Sequence, residues 1–312
     1  MPSPALPILD IREFSRQSMA EKRAIAHTLD LACRHTGFFY LTGYPLSPDL
    51  IAQMFAQSQS FFAQPLTAKQ QSNWTSADSN RGYGGLEREQ LNPDRPYDFK
   101  ETFNLGWEAA DGSTPKNPWP TALPEFRPVA DAFYQGCIQT AQVVFEVLAI
   151  ALDLPPQFFI QHHSQNPFTL RLLHYPAIPN DLAPDQLRAG EHTDYGTITL
   201  LFQHDEGGLE VQTTDRHWLL APALPNTLLV NLGDLMARWT NQRYRSTLHR
   251  VNLPKGDRPS PPRYSIAFFC DANPSTEVAC LPSCQSPEYP PLYPPILAGD
   301  YLISRLNQTY QY

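Results

Sequence analysis

The sequence predicts a mainly β fold, a sandwich or barrel core with flanking helices packed outside it. Three observations carry this reading. From residue 168 onward the chain breaks into short strand-like runs, separated by glycines, prolines and Asp/Asn clusters. Helical periodicity is concentrated before that point, in residues 18–35, 47–63 and 124–152. No clean linker divides the 312 residues, a length that allows one large domain or two smaller ones.

The elements follow in order. ALPILDI (5–11) mixes branched apolar residues with proline and reads as a first strand. In 18–35, Ile25, Leu29 and Ala32 fall on one stripe, and Gly37 stops the helix. GFFYLTGYP (37–45) is a strand ended by Gly and Pro. A second helix spans 47–63, with Ser47 as N-cap and Pro48 in its first turn. Residues 72–98 are polar and aperiodic, a long exposed loop with RGYGG (81–85) as its most flexible point. The helix at 124–152 offers Val129, Phe133, Ile138, Val143, Val144, Val147 and Leu148 to the core, and Pro155-Pro156 ends it. FTLRLLHYP, GTITLLFQ, GGLEVQT, TLLVNLGDLMARWT, TLHRVNL and RYSIAFFCD then read as mostly strand-like runs. Proline-rich connections occupy 253–262 and 281–295, and GDYLISRLNQTY (299–310) suits a final helix.

Composition narrows the function classes. Apolar residues make up 42% and charged residues 17%, which argues against global disorder. The net charge of -8 and the lack of a basic run argue against a nucleic-acid partner. No stretch approaches the roughly 20 apolar residues of a membrane span, and MPSPALPILDIREFSRQ does not read as a signal peptide. The five cysteines, Cys33, Cys137, Cys270, Cys280 and Cys284, are odd in number and widely spaced, so no disulfide framework is expected. Cys280 and Cys284 lack a second ligand pair for zinc. The expected compartment is the cytoplasm, with no obligate protein partner evident.

The chemistry is concentrated in HTDYG. His192 and Asp194 are two apart, so in an extended segment they share a face and can bind one ion. Two surface residues at a turn would explain the pair equally well on spacing alone. His249, in the strand-like RSTLHRV, offers a third ligand, although a chain with nine histidines always supplies a downstream partner. Two imidazoles and a carboxylate form the facial set that suits non-haem Fe(II) and leaves positions open. Arg263 and Ser265 in RYS also share a strand face. A guanidinium grips a carboxylate with two donors, and the hydroxyl adds a third.

HxD, the later histidine in RSTLHRV, and RxS together resemble the Fe(II)- and 2-oxoglutarate-dependent dioxygenases, in the subgroup similar to isopenicillin N synthase. LPILDI, GFFYLTGY, KETFNLG, LRLLHYP, GGLEV and NLGDLMARWTNQRYRSTLHRV extend the resemblance along nearly the whole chain. It implies a double-stranded β-helix, a cupin-like jelly roll. It implies one dioxygenase domain over 1–312, with a mixed helical part at 1–165, a core carrying the metal site at 166–280, and a C-terminal extension and helix at 281–312. His192, Asp194 and His249 would ligate iron. Arg263 and Ser265 would hold the distal carboxylate of 2-oxoglutarate, and Tyr175 matches a tyrosine near the co-substrate, or is an ordinary half-buried core residue. The family consumes O2 and 2-oxoglutarate and hydroxylates, desaturates or cyclises a small-molecule substrate.

The chain departs from the family pattern at three places. Tyr44 stands where relatives often have His, Leu173 where many plant relatives have Asn, and Glu191 precedes the metal pair and points away from His192. Leu201, Leu209 and Phe269 are candidates for an apolar substrate wall. Arg81, Tyr83 and Arg95 are candidates for a cover, or are solvent-facing loop residues. RxS also occurs in relatives that do not use 2-oxoglutarate, so an oxidase or cyclase of the isopenicillin N synthase type is the alternative. A non-enzymatic β-sandwich that binds a small molecule is the alternative from another class.

Overall fold

The computed structural model describes residues 6–74, 79–179, 182–204, 207–253 and 261–309. Ala5 of the first strand, residues 75–78 of the long loop, most of the connection at 253–262 and Tyr310 of the last helix lie outside them.

The first half is helical where its apolar spacing requires it. β1 (Ile8–Asp10) runs parallel to β2 (Phe38–Thr42), with Ile8 opposite Tyr40. Between them lies α1 (Met19–His35), opened by a capping box. The Ser18 hydroxyl accepts from the Glu21 amide, and the Glu21 carboxylate accepts from the Ser18 amide at 2.8 Å. Such a cap contributes about 1 kcal/mol. Leu29 and Ala32 are buried, with Ile25 packed at the core's rim. α2 (Pro48–Phe62) starts at Ser47, whose hydroxyl accepts from Leu50. α3 (Leu66–Lys69) follows.

Residues 72–98 do not form one exposed loop. Gly82–Gly84 make β3, which pairs with β4 (Glu101–Gly106), Tyr83 opposite Phe103, and all three residues of β3 are buried. RGYGG is therefore packed rather than loose. A Cβ on Gly82, whose φ is +106°, would lie 2.7 Å from the Asn73 backbone, and one on Gly84 would lie 2.8 Å from Thr102 Oγ1. At Gly82 glycine serves both the positive φ and the close approach, and at Gly84 the close approach alone.

α4 (Phe126–Ala151) is the helical spine. Phe133, Ile138, Val144, Val147 and Leu148 are buried on it, Val129 and Val143 pack at its margin, and α1 and α2 lie against it. α5 (Phe158–His162) packs near its end. Then come β5 (Thr169–Tyr175), β6 (Ala189–His192), β7 (Ile198–Gln203), β8 (Leu209–Gln212), β9 (Trp218–Leu220) and β10 (Leu228–Leu232). TLLVNLGDLMARWT splits: after β10, Gly233 is extended and α6 (Asp234–Trp239) begins, with Asp234 in its first turn. That carboxylate suits a helix N-terminus, and the Leu-Met-Ala run that follows is good helix-forming sequence. β11 (His249–Val251), β12 (Arg263–Cys270), β13 (Glu277–Val278), β14 (Ile296–Leu297) and α7 (Ala298–Thr309) complete the chain.

The expectation of a mainly β jelly roll is not met. Eight strands form one open sheet in the order β1-β2-β10-β7-β12-β5-β4-β3, and a second sheet runs β6-β11-β8-β9. Among the described residues no pairing joins β1 to β3 or one sheet to the other, so no barrel is closed. With α1, α2 and α4 packed on the large sheet, this is a mixed α and β fold. α1, α2 and α4 share one apolar core with a face of the large sheet, so the helices are a layer of the fold rather than accessories to a β core.

Strand alternation then sorts the residues. On β5 and β12, Leu170, Leu172, Ile266, Phe268 and Cys270 face the helices. Leu173, Tyr175 and Ala267 face the small sheet, where they meet Ala189, Leu209, Val211 and Val251. The site lies in this space between the sheets.

Candidate functional site

β6 and β11 pair antiparallel with His192 directly opposite His249, and their rings stand 4.2 Å apart between centroids. Asp194 lies just beyond the end of β6. One ligand atom from each of the three is within 4.8 Å of the others. Their second polar atoms fix the orientation. His192 Nδ1 is 2.7 Å from the Gly190 carbonyl, and His249 Nδ1 is 3.1 Å from that of Thr247. A carbonyl only accepts, so each Nδ1 carries the proton and each Nε2 presents a lone pair. Asp194 Oδ2 accepts from Thr199 at 2.5 Å and from Asn231 at 2.6 Å, while Oδ1 faces His249 Nε2 at 3.8 Å.

The protonation states agree. Burial, aided by His249, pushes His192 down to about 3. Burial works against an ionised Asp194, but charge on His249 or His192 when either is protonated, and the Asn231 and Thr199 hydrogen bonds, hold its pKa below the usual value. Neutral imidazole and ionised carboxylate are the forms a metal binds. Two nitrogens and one oxygen on one side of a site suit Fe(II) with open positions. The residues present fit that ion.

The neighbouring strands supply a cation. Arg263 is fully buried, 0% exposed. Its Nη1 donates to Ser265 Oγ and its Nη2 to Gln203 Oε1, both at 3.2 Å, and its Cζ lies 5.0 Å from the Tyr175 ring centre. Its Nε has no partner, and among the described residues no carboxylate pairs with it. Burial lowers its pKa, yet a guanidinium keeps its charge. A buried unpaired charge is strongly unfavourable, and an anionic ligand would relieve it. Arg263, Ser265 and Tyr175 line the same cavity as the three metal-binding side chains. This is a fit to a carboxylate co-substrate.

Comparison with known proteins agrees with this chemistry. Residues 6–122 match the non-haem dioxygenase N-terminal family, described for morphine synthesis, and residues 160–272 match the 2OG-Fe(II) oxygenase superfamily. The chain is 35% identical to the 2-oxoglutarate-Fe(II) type oxidoreductase hxnY of Emericella nidulans, over 98% of this chain and 90% of that protein. The chain belongs to the Fe(II)/2-oxoglutarate-dependent oxygenase superfamily. This oxygenase is also 35% identical to the proline hydroxylase buaE of Petromyces alliaceus, over 97% of this chain and 98% of that one. Among solved structures it resembles a full-length Neurospora crassa protein in complex with alpha-KG and thymine, with a TM-score of 0.90 and 35% identity over 98% of this chain and 97% of that one. It is an enzyme that uses Fe(II) and 2-oxoglutarate to oxygenate a small molecule. When bound, the iron and 2-oxoglutarate supply the oxidising power: one oxygen atom of O2 goes to the substrate and the other to succinate, with release of CO2. Among the described residues no helix of this oxygenase is long and apolar enough to cross a membrane.

The remaining candidates divide. Leu201, Leu209 and Phe269 line the cavity. Arg81, Tyr83 and Arg95 are not among its lining residues. Arg81 donates to the carbonyls of Trp107, at 2.7 Å, and of Pro115. The Tyr83 hydroxyl donates to Glu101 at 2.6 Å within the helix-side core. Arg95 grips Glu191 with two bonds, of 2.6 and 2.8 Å, and Arg250 donates to the same carboxylate at 3.0 Å. Glu191 is thereby held away from the metal-binding side chains.

Sequence reasoning passed over several lining residues. Arg171 and Asp271 sit at even spacing from Tyr175 and Arg263, so the alternation that found those two would have found them. Lys100 pairs with Asp98 at 2.9 Å and Glu89 at 3.1 Å, and Arg171 with Glu89 at 3.3 Å. Leu302, Leu306 and Thr309 come from α7. The Tyr195 hydroxyl bonds Thr309, and Arg305 stacks 4.7 Å from the Tyr195 ring centre. No pairing register ties a terminal helix to a cavity, so the sequence carried no signal for it.

Proposed function

We propose that this enzyme hydroxylates an unactivated C–H bond of a small organic molecule, with desaturation or cyclisation as the outcome if the target carbon is placed differently. His192, Asp194 and His249 hold the iron. Arg263 and Ser265 hold the distal carboxylate of 2-oxoglutarate, with Tyr175 beside them. The observation that carries the co-substrate reading is Arg263: a fully buried guanidinium with no anionic partner among the described residues, on the cavity that holds the metal-binding set. Leu201, Leu209 and Phe269 give the substrate an apolar wall. The protein's own work is to fix the target carbon and exclude water. Relatives support a small substrate: the Neurospora crassa protein is known with thymine and with 5-formyluracil, and buaE is a proline hydroxylase.

The finer placement, in the subgroup similar to isopenicillin N synthase, rests on the motifs GFFYLTGY, NLGD and RSTLHRV. We read the chain as one dioxygenase domain, because the large sheet takes β1 to β4 from the N-terminal part and β5, β7, β10 and β12 from the rest. Five free cysteines support a reducing compartment, the cytoplasm.

Anaerobic titration of the Fe(II)-loaded protein with 2-oxoglutarate tests the proposal. A visible charge-transfer band that saturates places the 2-oxo acid on the metal. Iron binding without that band points instead to an oxidase that draws its electrons from the substrate. Absence of iron binding points to a binding module.

A further inference from the structure

β12 presents every second side chain to the cavity: Arg263, Ser265, Ala267, Phe269 and, just past the strand, Asp271. At about 3.3 Å per residue the two ends of this row are roughly 26 Å apart. One end is a buried cation. The other is a buried carboxyl group: Asp271 is 6% exposed. Among the described residues nothing donates a hydrogen bond to its carboxylate and no side-chain cation pairs with it. It abuts Gly196, where an added Cβ would fall 2.2 Å from Asp271 Oδ1.

The other charges of the cavity are matched. Arg171 and Lys100 are paired with Glu89 and Asp98, and the Asp194 carboxylate belongs to the metal set. Among the described residues two lining groups, Arg263 and Asp271, lack a protein partner of opposite charge. The co-substrate carboxylate answers the first. It cannot also reach the second, because 2-oxoglutarate has five carbons and lies at the far end of the row.

We propose that Asp271 anchors the primary substrate through a positively charged nitrogen, so that the substrate is a small organic amine or protonated nitrogen heterocycle with an apolar body. The inference rests on the co-substrate reading above, which assigns Arg263 to the other ligand. Phe269, one step along the row, and Leu302 and Leu306 of α7 supply the surface for the apolar body. Burial pushes the Asp271 carboxyl above its usual range, and a substrate cation beside it would hold the ionised form.

The test uses the anaerobic protein loaded with Fe(II) and 2-oxoglutarate and two probes of equal shape, cyclohexylamine and cyclohexanol, titrated calorimetrically. The amine is expected to bind at least tenfold more tightly than the alcohol to the parent. In Asp271→Asn the ratio falls to about one, and in Asp271→Glu a preference for the amine persists. The visible band with 2-oxoglutarate stays in every variant, which also shows that each has folded. A parent that binds both probes equally, or neither, overturns the proposal, as does an Asp271→Asn protein that keeps the preference. Loss of the visible band in the parent itself overturns the co-substrate reading instead, so the two failures are told apart.

Discussion

The Asp194 carboxylate does two jobs with its two oxygens. Oδ2 is bound by Thr199 and Asn231, and Oδ1 is left for the metal. Removing the Asn231 amide frees the carboxylate to rotate. Asn231→Ala should weaken Fe(II) affinity by about 10- to 100-fold, the usual effect of losing a group that orients a ligand, as read by competition with a chelator. His192→Ala should abolish iron-dependent succinate release. Arg263→Ala should raise the 2-oxoglutarate concentration for half-saturation by tenfold or more, with little change in metal affinity. A variant that behaved like the parent at limiting 2-oxoglutarate would remove Arg263 from the co-substrate site. At this scale the sequence was legible where the period of two could be read. Arg263 with Ser265 is a pair on one face of β12, whereas His192 ends β6 and Asp194 lies just past it; all four line one cavity. Arg81, Tyr83 and Arg95 were harder, because a charge in a polar segment carries no sign of which neighbour will claim it. Here two carbonyls claimed Arg81, Glu101 claimed Tyr83, and Glu191 claimed Arg95.

Among the elements, α1, α2 and α4 were readable from their apolar stripes and from Ser47, Pro48 and Pro155-Pro156, and their observed ends lie within a few residues of the expected ones. β3 was not readable. Its glycines look like looseness in a one-dimensional string, and only the three-dimensional packing on Asn73 and Thr102 shows why they are needed. Gly84→Ala would force a methyl group against Thr102 and should destabilise the protein by about 1–3 kcal/mol, the range for overpacking, measured by denaturant unfolding. Helix α7 brings Leu302, Leu306 and Thr309 to the cavity. Leu306 is 7% exposed and lines the pocket from that helix. Leu306→Ala should raise the KM for the primary substrate and leave the 2-oxoglutarate titration unchanged. Equal effects on both ligands would mean that α7 supports the whole site rather than its substrate side.

For the molecule as a whole, composition and the strand cadence pointed to sheets with helices outside, but not to how the sheets close. Whether eight strands stay open is set by which edges meet in space, and β1 and β3, though both from the N-terminal part, lie at opposite edges of the sheet. The two-sheet arrangement has a thermodynamic consequence. His192 and His249 belong to strands that are neighbours only in the folded state, so the metal site does not exist in the unfolded chain. Iron at about 100 times its dissociation constant should then stabilise the fold by roughly 2.7 kcal/mol. Chelator treatment should lower Tm by several degrees, and added Fe(II) under anaerobic conditions should restore it. Asp194→Ala should make Tm insensitive to both. The paired histidines thus make the ion a reversible clasp between two stretches of backbone. In a cell short of iron the unclasped chain would open more often and be cleared by proteases faster. The quantity of this enzyme, and not only its turnover, would follow the iron supply.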